Sequence, residues 1–515
     1  MTAAHPWQAL AHAARTWPTA QALVFPHQQV SKTFREYHDE ALALAGALAA
    51  RGMGRGTHVA LLAENRVEWP VVQMACAALG AVVVPLNTHY RRDDLAYALR
   101  HSDAEALFCS VEFRSNPYLE TVATLRPMLA RLRHVFTLEH DYPALIAEGH
   151  LFSPRDFDAA QPAALLYTSG TTGFPKGAVL SHRAMMAVGQ SSAARLGLQP
   201  GDRWTSIIPL FHCAGCVLNL LGCVSHGAAY VGVPSFDPEN MFRVIAAERC
   251  TVLSGVPTSY LAMLDHPARR NHDLSSLRAG SCGGADANPE VLRRCALEFS
   301  MPGLAQVYGQ TEGATLFACP EPDDPLRWET VGKPLPGCDI RIVDPQTLAL
   351  RATGEIGEIQ ARGPMVMDGY YNNPDATAET IIGGGWLRTG DLGYLRPDGR
   401  LVVAGGRLRD MIIRGGENIY PAEIEMVLQQ HEAVAEAAVF GEPDDYYGET
   451  VSAAVKLHAP VTAGSLQALC AARIARFKVP STIYLVETFP LTPSGKIRKV
   501  ELRAWAKDKR LERLR

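Results

Sequence analysis

Short apolar runs alternating with amphipathic helical stretches constrain this chain more than any other feature. Between residues 33 and 138 the order is an Ala/Leu-rich helix over 37–51, VALLAEN at 59–65, a helix to Gly80, and AVVVPL at 81–86. A helix over 91–101, ALFCS at 106–110, another helix, and HVFTL at 134–138 follow. Apolar runs this short read as strands buried on both faces, and the helices between them supply the crossovers that parallel pairing requires. A second block of the same texture runs from Ala163 to Glu312. Strands are expected there at 205–210, 228–233, 251–257, 277–284 and 304–312, and helices at 237–248 and 289–299. The predicted class is α/β, with two sheet layers in a large N-terminal domain.

From about Thr330 the texture changes to short alternating strands with Gly, Pro and Asp turns, at 339–344, 357–363 and 393–406, which reads as a small β-rich subdomain. The last hundred residues combine a helix from Pro421, strands at 435–441, 452–458 and 481–487, and a helix over 465–474. Two hairpins and two helices predict a smaller α+β lid, with the chain dividing into 1–405 and 406–515. The basic tail from Lys507 mixes signs and reads as a solvated helix end.

Composition excludes several functions. A net charge of −4 without a polybasic patch gives no case for nucleic acid. The most apolar run, 74–86, is short and broken by Gly80 and Pro85, and the N-terminus lacks a basic flank with an apolar core, so the chain is expected to be cytoplasmic with no transmembrane segment. Eleven irregularly spaced cysteines argue against a disulfide framework. His212, Cys213, Cys216 and Cys223 could be written as metal ligands, but no second paired element follows them. RGMGRG at 51–56 misses the dinucleotide-binding spacing and precedes a strand, so it reads as a turn.

YTSGTTGFPKGA, at 167–178, resists explanation as ordinary folding. Four hydroxyls, three glycines and Lys176 follow the apolar run 163–167. Glycines let backbone N–H groups approach an anion, hydroxyls add rotatable donors, and lysine supplies charge, so the composition suits polyphosphate. It differs from the Walker A pattern, because Pro175 precedes Lys176 and Gly177 follows it. Beyond Gly177 a second short apolar run precedes a helix that begins after Ser181, and the loop is expected between strand and helix. Polar clusters also close the strand candidates at Gly283-Gly284-Ala285 and at 308–312. Ligands of open α/β sheets bind beyond such strand ends, so the three clusters are expected to converge.

With PLFHCAG (209–215), SCGGA (281–285), VYGQTE (307–312), WLRTGDLG (386–393), GRLRDMIIRGGENIYPAEIE (406–425) and PLTPSGKIRK (490–499) in the same order, nearly the whole chain resembles the adenylate-forming superfamily of acyl- and aryl-CoA ligases, luciferases and peptide-synthetase adenylation domains. The resemblance implies an ATP-, Mg²⁺- and CoA-dependent ligase. It joins a carboxylic acid to the α-phosphate of ATP, releases pyrophosphate, and passes the acyl group to a thiol. Positioning and electrostatic stabilisation are then the protein's main tasks.

By the same resemblance Thr168, Ser169, Gly170, Thr171, Thr172 and Lys176 hold the β- and γ-phosphates, Glu312 holds Mg²⁺, and Thr311 touches the α-phosphate. Gly284, Ala285, Tyr308 and Gly309 frame the nucleotide, Asp391 takes the ribose hydroxyls, and Arg407 lies against ribose and phosphate. Lys496 is the candidate for the adenylation step, bridging carboxylate and α-phosphate. Asp410 is the hinge about which the lid rotates, and Gly415, Gly416 and Glu417 line the pantetheine tunnel. His212 resembles the gating aromatic beside an acyl pocket expected from Cys213, Ala214, Gly215, Ser281, Cys282, Gly283, Val307 and Gly309. These are small or apolar and include no cation, which favours a hydrophobic monocarboxylic acid: fatty, aryl or polycyclic. Transfer to a carrier protein, luciferase-like oxidation and non-catalytic nucleotide binding remain open alternatives, and a homodimer is compatible with the sequence.

Overall fold

Thr33 and Glu36 start the first long helix, Phe34–Ala50, by a reciprocal cap: Glu36 N donates to Thr33 Oγ1 at 3.2 Å, and Thr33 N to Glu36 Oε2 at 2.8 Å. The next helix, Glu68–Leu79, is buried at every position from 69 to 79, as a helix apolar on all sides must be. The computed structural model describes residues 4–149, 152–154, 158–168, 175–284, 287, 289–407, 412–419, 421–490, 497 and 499–515. The chain divides into two units, 1–88 with 99–167 and 177–406, and 89–98 with 168–176 and 407–515.

The first unit carries two seven-stranded sheets. One runs, in spatial order, Gly369–Tyr370, Lys176–Ser181, Pro162–Thr168, Val82–Pro85, His58–Leu62, Ala106–Cys109, His134–Thr137. From Pro162–Thr168 onward its pairs are parallel, and Gly369–Tyr370 runs antiparallel to Lys176–Ser181. The other runs Gly303–Gln306, Ala279–Cys282, Val252–Gly255, Arg203–Ser206, Ala229–Val231, Gln21–Phe25, Val30–Thr33, parallel up to its last pair. A smaller antiparallel sheet contains Asp339–Val343, Gly357–Arg362, Trp386–Leu395 and Ile381–Ile382, with Leu401–Arg407 beside Trp386–Leu395.

In the second unit six strands form a mixed sheet around the hairpin Val434–Asp444 and Gly448–Leu457, flanked by helices Pro421–Gln429, Ala463–Arg473 and Lys499–Lys507. Inside it Lys478, 4% exposed at its side chain, lies 2.7 Å from Glu423 Oε1 and 3.7 Å from Asp94 Oδ1. The chain thus has the expected class, a large α/β N-terminal domain with mixed sheets and a smaller α+β C-terminal domain.

Two local expectations are corrected. The glycine-rich loop joins two strands rather than a strand and a helix: the second apolar run forms the strand Lys176–Ser181, paired antiparallel with Gly369–Tyr370, and helix His182–Arg195 starts after Ser181 as expected. The C-terminal tail is not a helix end. Its helix stops at Lys507, and Glu512–Arg513 pairs antiparallel with Thr482–Leu485, covering an edge that would otherwise stay unpaired.

Candidate functional site

Three of the sequence motifs meet inside the first unit. Tyr308 follows the end of strand Gly303–Gln306, and its hydroxyl donates to Asp391 Oδ2 at 3.0 Å, bringing together residues 83 positions apart. Asp391 lies within the long strand Trp386–Leu395, at the register shift of its pairing with Gly357–Arg362, and its N–H donates to Thr389 Oγ1 at 3.1 Å. Thr311 and Glu312 stand in the 3₁₀ turn Thr311–Gly313, and Cys213 Sγ lies 3.6 Å from Thr311 Oγ1. The motifs at 209–215, 307–312 and 386–393 therefore meet; of the three clusters expected to converge, Gly283 lies against Val307, and most of the 167–178 loop lies outside the described residues.

Glu312 is 7% exposed, and among the described residues no Lys, Arg or His forms an ion pair with it. Its Oε1 accepts a hydrogen bond from Tyr370 at 2.7 Å. A carboxylate buried without a cation needs a counter-charge from elsewhere. One carboxylate backed by a neutral donor fits Mg²⁺, which takes few protein ligands and completes its shell with phosphate oxygens and water. Tyr370 was not among the sequence candidates. The only sequence signal for it is its place in the GYYNNP turn at 369–374, which a chemical reading of carboxylates and glycines passes over.

His212 Nδ1 accepts the Ala214 N–H at 3.1 Å, so a neutral imidazole carries its proton on Nε2. Cys213 is 2% exposed. Burial alone would raise its thiol, but His212 and the hydroxyls of Thr315 and Thr311 bring it below the ordinary value, whereas burial without such neighbours pushes the Cys282 and Cys216 thiols up. Cys213, Ala214, Ser281, Cys282 and Val307 are all buried, as small residues around an apolar pocket should be. Gly283, Gly215 and Gly309 have no room for a side chain: a Cβ would meet Val307 Cγ2 at 2.8 Å, Pro209 O at 2.2 Å and Thr315 O at 1.9 Å respectively. Gly284 sits at φ +83°, the left-handed region that favours glycine. Among the described residues no group of three or more His, Cys, Asp or Glu is arranged to hold a metal, and all eleven cysteines are buried and free.

In the second unit Thr168 closes the strand Pro162–Thr168, and its hydroxyl donates to the Lys176 carbonyl at 3.4 Å. Lys176, half-buried, opens the next strand. Tyr97 anchors the same segment by donating to the Pro175 carbonyl at 2.9 Å. Arg407 ends the strand Leu401–Arg407. Gly415 and Gly416 form the turn between Ile412–Arg414 and Glu417–Ile419, with Gly415 N donating to Tyr447 O at 2.9 Å and Glu417 paired with Arg414. Ser169, Gly170, Thr171, Thr172, Ala285, Asp410 and Lys496 lie outside the described residues.

Two α/β sheets, a β-rich subdomain bearing Asp391 against Tyr308, and the buried carboxylate of Glu312 are the arrangement the adenylate-forming resemblance implies. Comparison with known proteins agrees: the AMP-binding enzyme family matches residues 10–371, and the AMP-binding enzyme C-terminal domain matches 423–496. The chain belongs to the adenylate-forming superfamily, in its family of AMP-binding acyl-CoA synthetases. The protein YngI of Bacillus subtilis (strain 168) is 38% identical over 96% of this chain and 95% of its own length. The mitochondrial medium-chain acyl-CoA ligase ACSF2 of Mus musculus is 32% identical over 95% of this chain and 85% of its own. Among solved structures, o-succinylbenzoate CoA synthetase (MenE) from Bacillus subtilis, bound to its product analogue OSB-NCoA, superposes with a TM-score of 0.86 at 32% identity over 99% of both chains. Among the described residues no helix is long and apolar enough to cross a membrane.

Proposed function

We propose that this acid–CoA ligase activates a hydrophobic monocarboxylic acid as its acyl-adenylate, with Mg²⁺ and release of pyrophosphate, and then transfers the acyl group to the thiol of CoA. The observation that supports the reading is the meeting of Tyr308 with Asp391 and of Tyr370 with Glu312 in one unit, the residues to which the resemblance gives ribose and Mg²⁺. The buried, uncharged residues expected around the acyl group support the choice of acid, because a second carboxylate would find no partner among them. ACSF2, a medium-chain acyl-CoA ligase, and MenE, an o-succinylbenzoate CoA synthetase, are relatives that support a CoA ligase reaction without fixing the acid.

In this reading Thr168 to Lys176 cradles the departing pyrophosphate, and Glu312 would hold Mg²⁺, which would supply counter-charge for the phosphates. Lys496 stabilises the charge that develops when the acid attacks the α-phosphate. Asp410 lets the lid turn so that Lys496 can vacate the site for the thiol, which Gly415, Gly416 and Glu417 then flank. Pyrophosphate release measured across aliphatic, aromatic and polycyclic acids, with and without CoA, tests class and substrate together. The expected result is acid-dependent release and a CoA thioester, strongest for apolar monocarboxylates; acylation of a carrier protein with none of CoA overturns the acceptor. Lys496→Ala is expected to slow adenylate formation about 10²- to 10³-fold while the thioester-forming step from supplied acyl-adenylate survives.

A further inference from the structure

Register places three serines in a row across the second sheet: Ser206 pairs with Ser254, and Ser254 with Ser281, on neighbouring parallel strands. All three are buried, and each needs hydrogen-bond partners. Ser206 and Ser254 share one partner, Asn219, itself buried, at the end of the π-helical turn Ala214–Asn219 that follows His212, and Ser281 bonds Ser254. Only one orientation of its amide satisfies every neighbour. The carbonyl then accepts from Trp204 Nε1 and from Ser254 Oγ, each at 3.1 Å, and the NH₂ donates to Ser206 Oγ at 3.0 Å and to the Ala214 carbonyl at 2.8 Å.

That assignment orders the protons. Ser254 must donate to Asn219, so the 2.7 Å contact between Ser254 and Ser281 runs from the Ser281 hydroxyl to Ser254 Oγ. A one-way chain results: Ser281 to Ser254, Ser254 to the Asn219 carbonyl, and the Asn219 NH₂ to the Ala214 carbonyl. Ala214 is also the residue whose N–H holds the His212 ring. The turn itself is unusual, because Leu220 N reaches back five residues to Gly215 O, and a π turn inserts a residue that ordinary helical bonding does not support. The Asn219 side chain bonds a carbonyl of that same turn. Gly215 leaves no slack beneath it, since a Cβ there would already meet Pro209 O at 2.2 Å.

We propose that Asn219 is a positioning residue: its amide holds the π turn in register and so places His212 and Cys213 against Thr311, linking the strand end at Ser281 to the histidine on the wall where the acid is activated. This rests on the acid-activating reading. Asn219 touches neither substrate nor nucleotide. It acts through Ala214.

Asn219→Asp tests it, because the variant keeps size and shape but replaces both donors with an acceptor facing the Ala214 carbonyl. The expected outcome is a fall of about 10- to 100-fold in kcat/KM for the acid, the scale of a misplacement near 1 Å, with KM for ATP within about two-fold of wild type. Hydrogen exchange should quicken in the peptide spanning 212–220 and stay unchanged elsewhere. Ser254→Ala leaves both Asn219 donors in place and is expected to lose less than about five-fold; should Asn219→Asp not fold, Asn219→Ser, which loses the donors to the Ala214 carbonyl without adding a charge, carries the same acid-against-ATP test. Equal losses for acid and ATP with faster exchange throughout the chain would reduce Asn219 to general packing and overturn the proposal, as would unchanged kinetics. If wild type adenylates no acid, the functional reading fails by itself, and the exchange pattern still decides whether Asn219 holds the turn.

Discussion

Glu312 shows how much of the site depends on single hydrogen bonds. A carboxylate at 7% exposure needs hydrogen-bond partners for its oxygens, and Tyr370 supplies one from 58 residues away. Tyr370→Phe removes that donor without changing the ring. Leaving a buried acceptor unsatisfied costs about 1–3 kcal/mol, so the variant is expected to lose about 10-fold or more in ATP-dependent pyrophosphate release and to need more Mg²⁺ for half-maximal rate. A magnesium titration of both proteins checks this, and superimposable curves would remove Tyr370 from the site. Glu312 and Asp391 were legible in the sequence because they stand in dense motifs. Tyr370 and Asn219 were not, since their roles are set by partners that are distant in sequence or hidden by register.

At the scale of elements, the segment 309–315 is wound tightly around the Thr311–Gly313 turn. Thr315 N returns to Gln310 O at 3.1 Å, and Ala314 and Thr315 take φ of 49° and 115°. A β-branched residue at positive φ is strained, and such strain persists only where the surroundings over-determine it. Gly309 is what permits the winding, because a Cβ there would lie 1.9 Å from Thr315 O and 2.5 Å from Leu316 Cα. Gly309→Ala is therefore expected to destabilise the protein by about 1–3 kcal/mol and, by displacing Thr311 and Glu312, to cut activity about 10²-fold. Urea unfolding followed beside pyrophosphate release would separate the two effects; activity retained at full stability would show that the turn can relax.

At the scale of the whole molecule, two buried groups make folding stability depend on pH in opposite senses. His182 is buried and stacked on His5 with ring centroids 3.8 Å apart; burial, and then the neighbouring His5, push its pKa down to about 3. Below pH 6.5 the unfolded chain takes up a proton that the folded chain refuses, so this contribution is lost as pH falls from 6.5 toward 3, by at most about 1.4 kcal/mol per pH unit. Glu423 works in the opposite sense. Burial, opposed by Lys478, pushes it up to about 7, so its contribution falls as pH rises from 4.5 to 7. Urea midpoints at pH 7 and pH 5 for wild type and His182→Phe isolate the histidine: the variant, which keeps a ring on His5, should lose less stability between the two pH values. An identical loss in both would place the acid sensitivity elsewhere.

Local pattern was enough to determine the α/β class, the order of most elements, and the chemistry of the nucleotide motifs, because strand burial, helix caps and glycine-rich turns are written in neighbouring residues. Assembly was not written there. Gln21–Phe25 joins the second sheet through Ala229–Val231, and Gly369–Tyr370 closes the first sheet beside Lys176–Ser181. Pairings across some 200 residues have no local signature, since any buried edge of matching register could accept them. The same holds for the loop at 167–178. Its composition announced a phosphate cradle, but only tertiary pairing made Lys176 the first residue of a strand, held by the sheet rather than by a following helix.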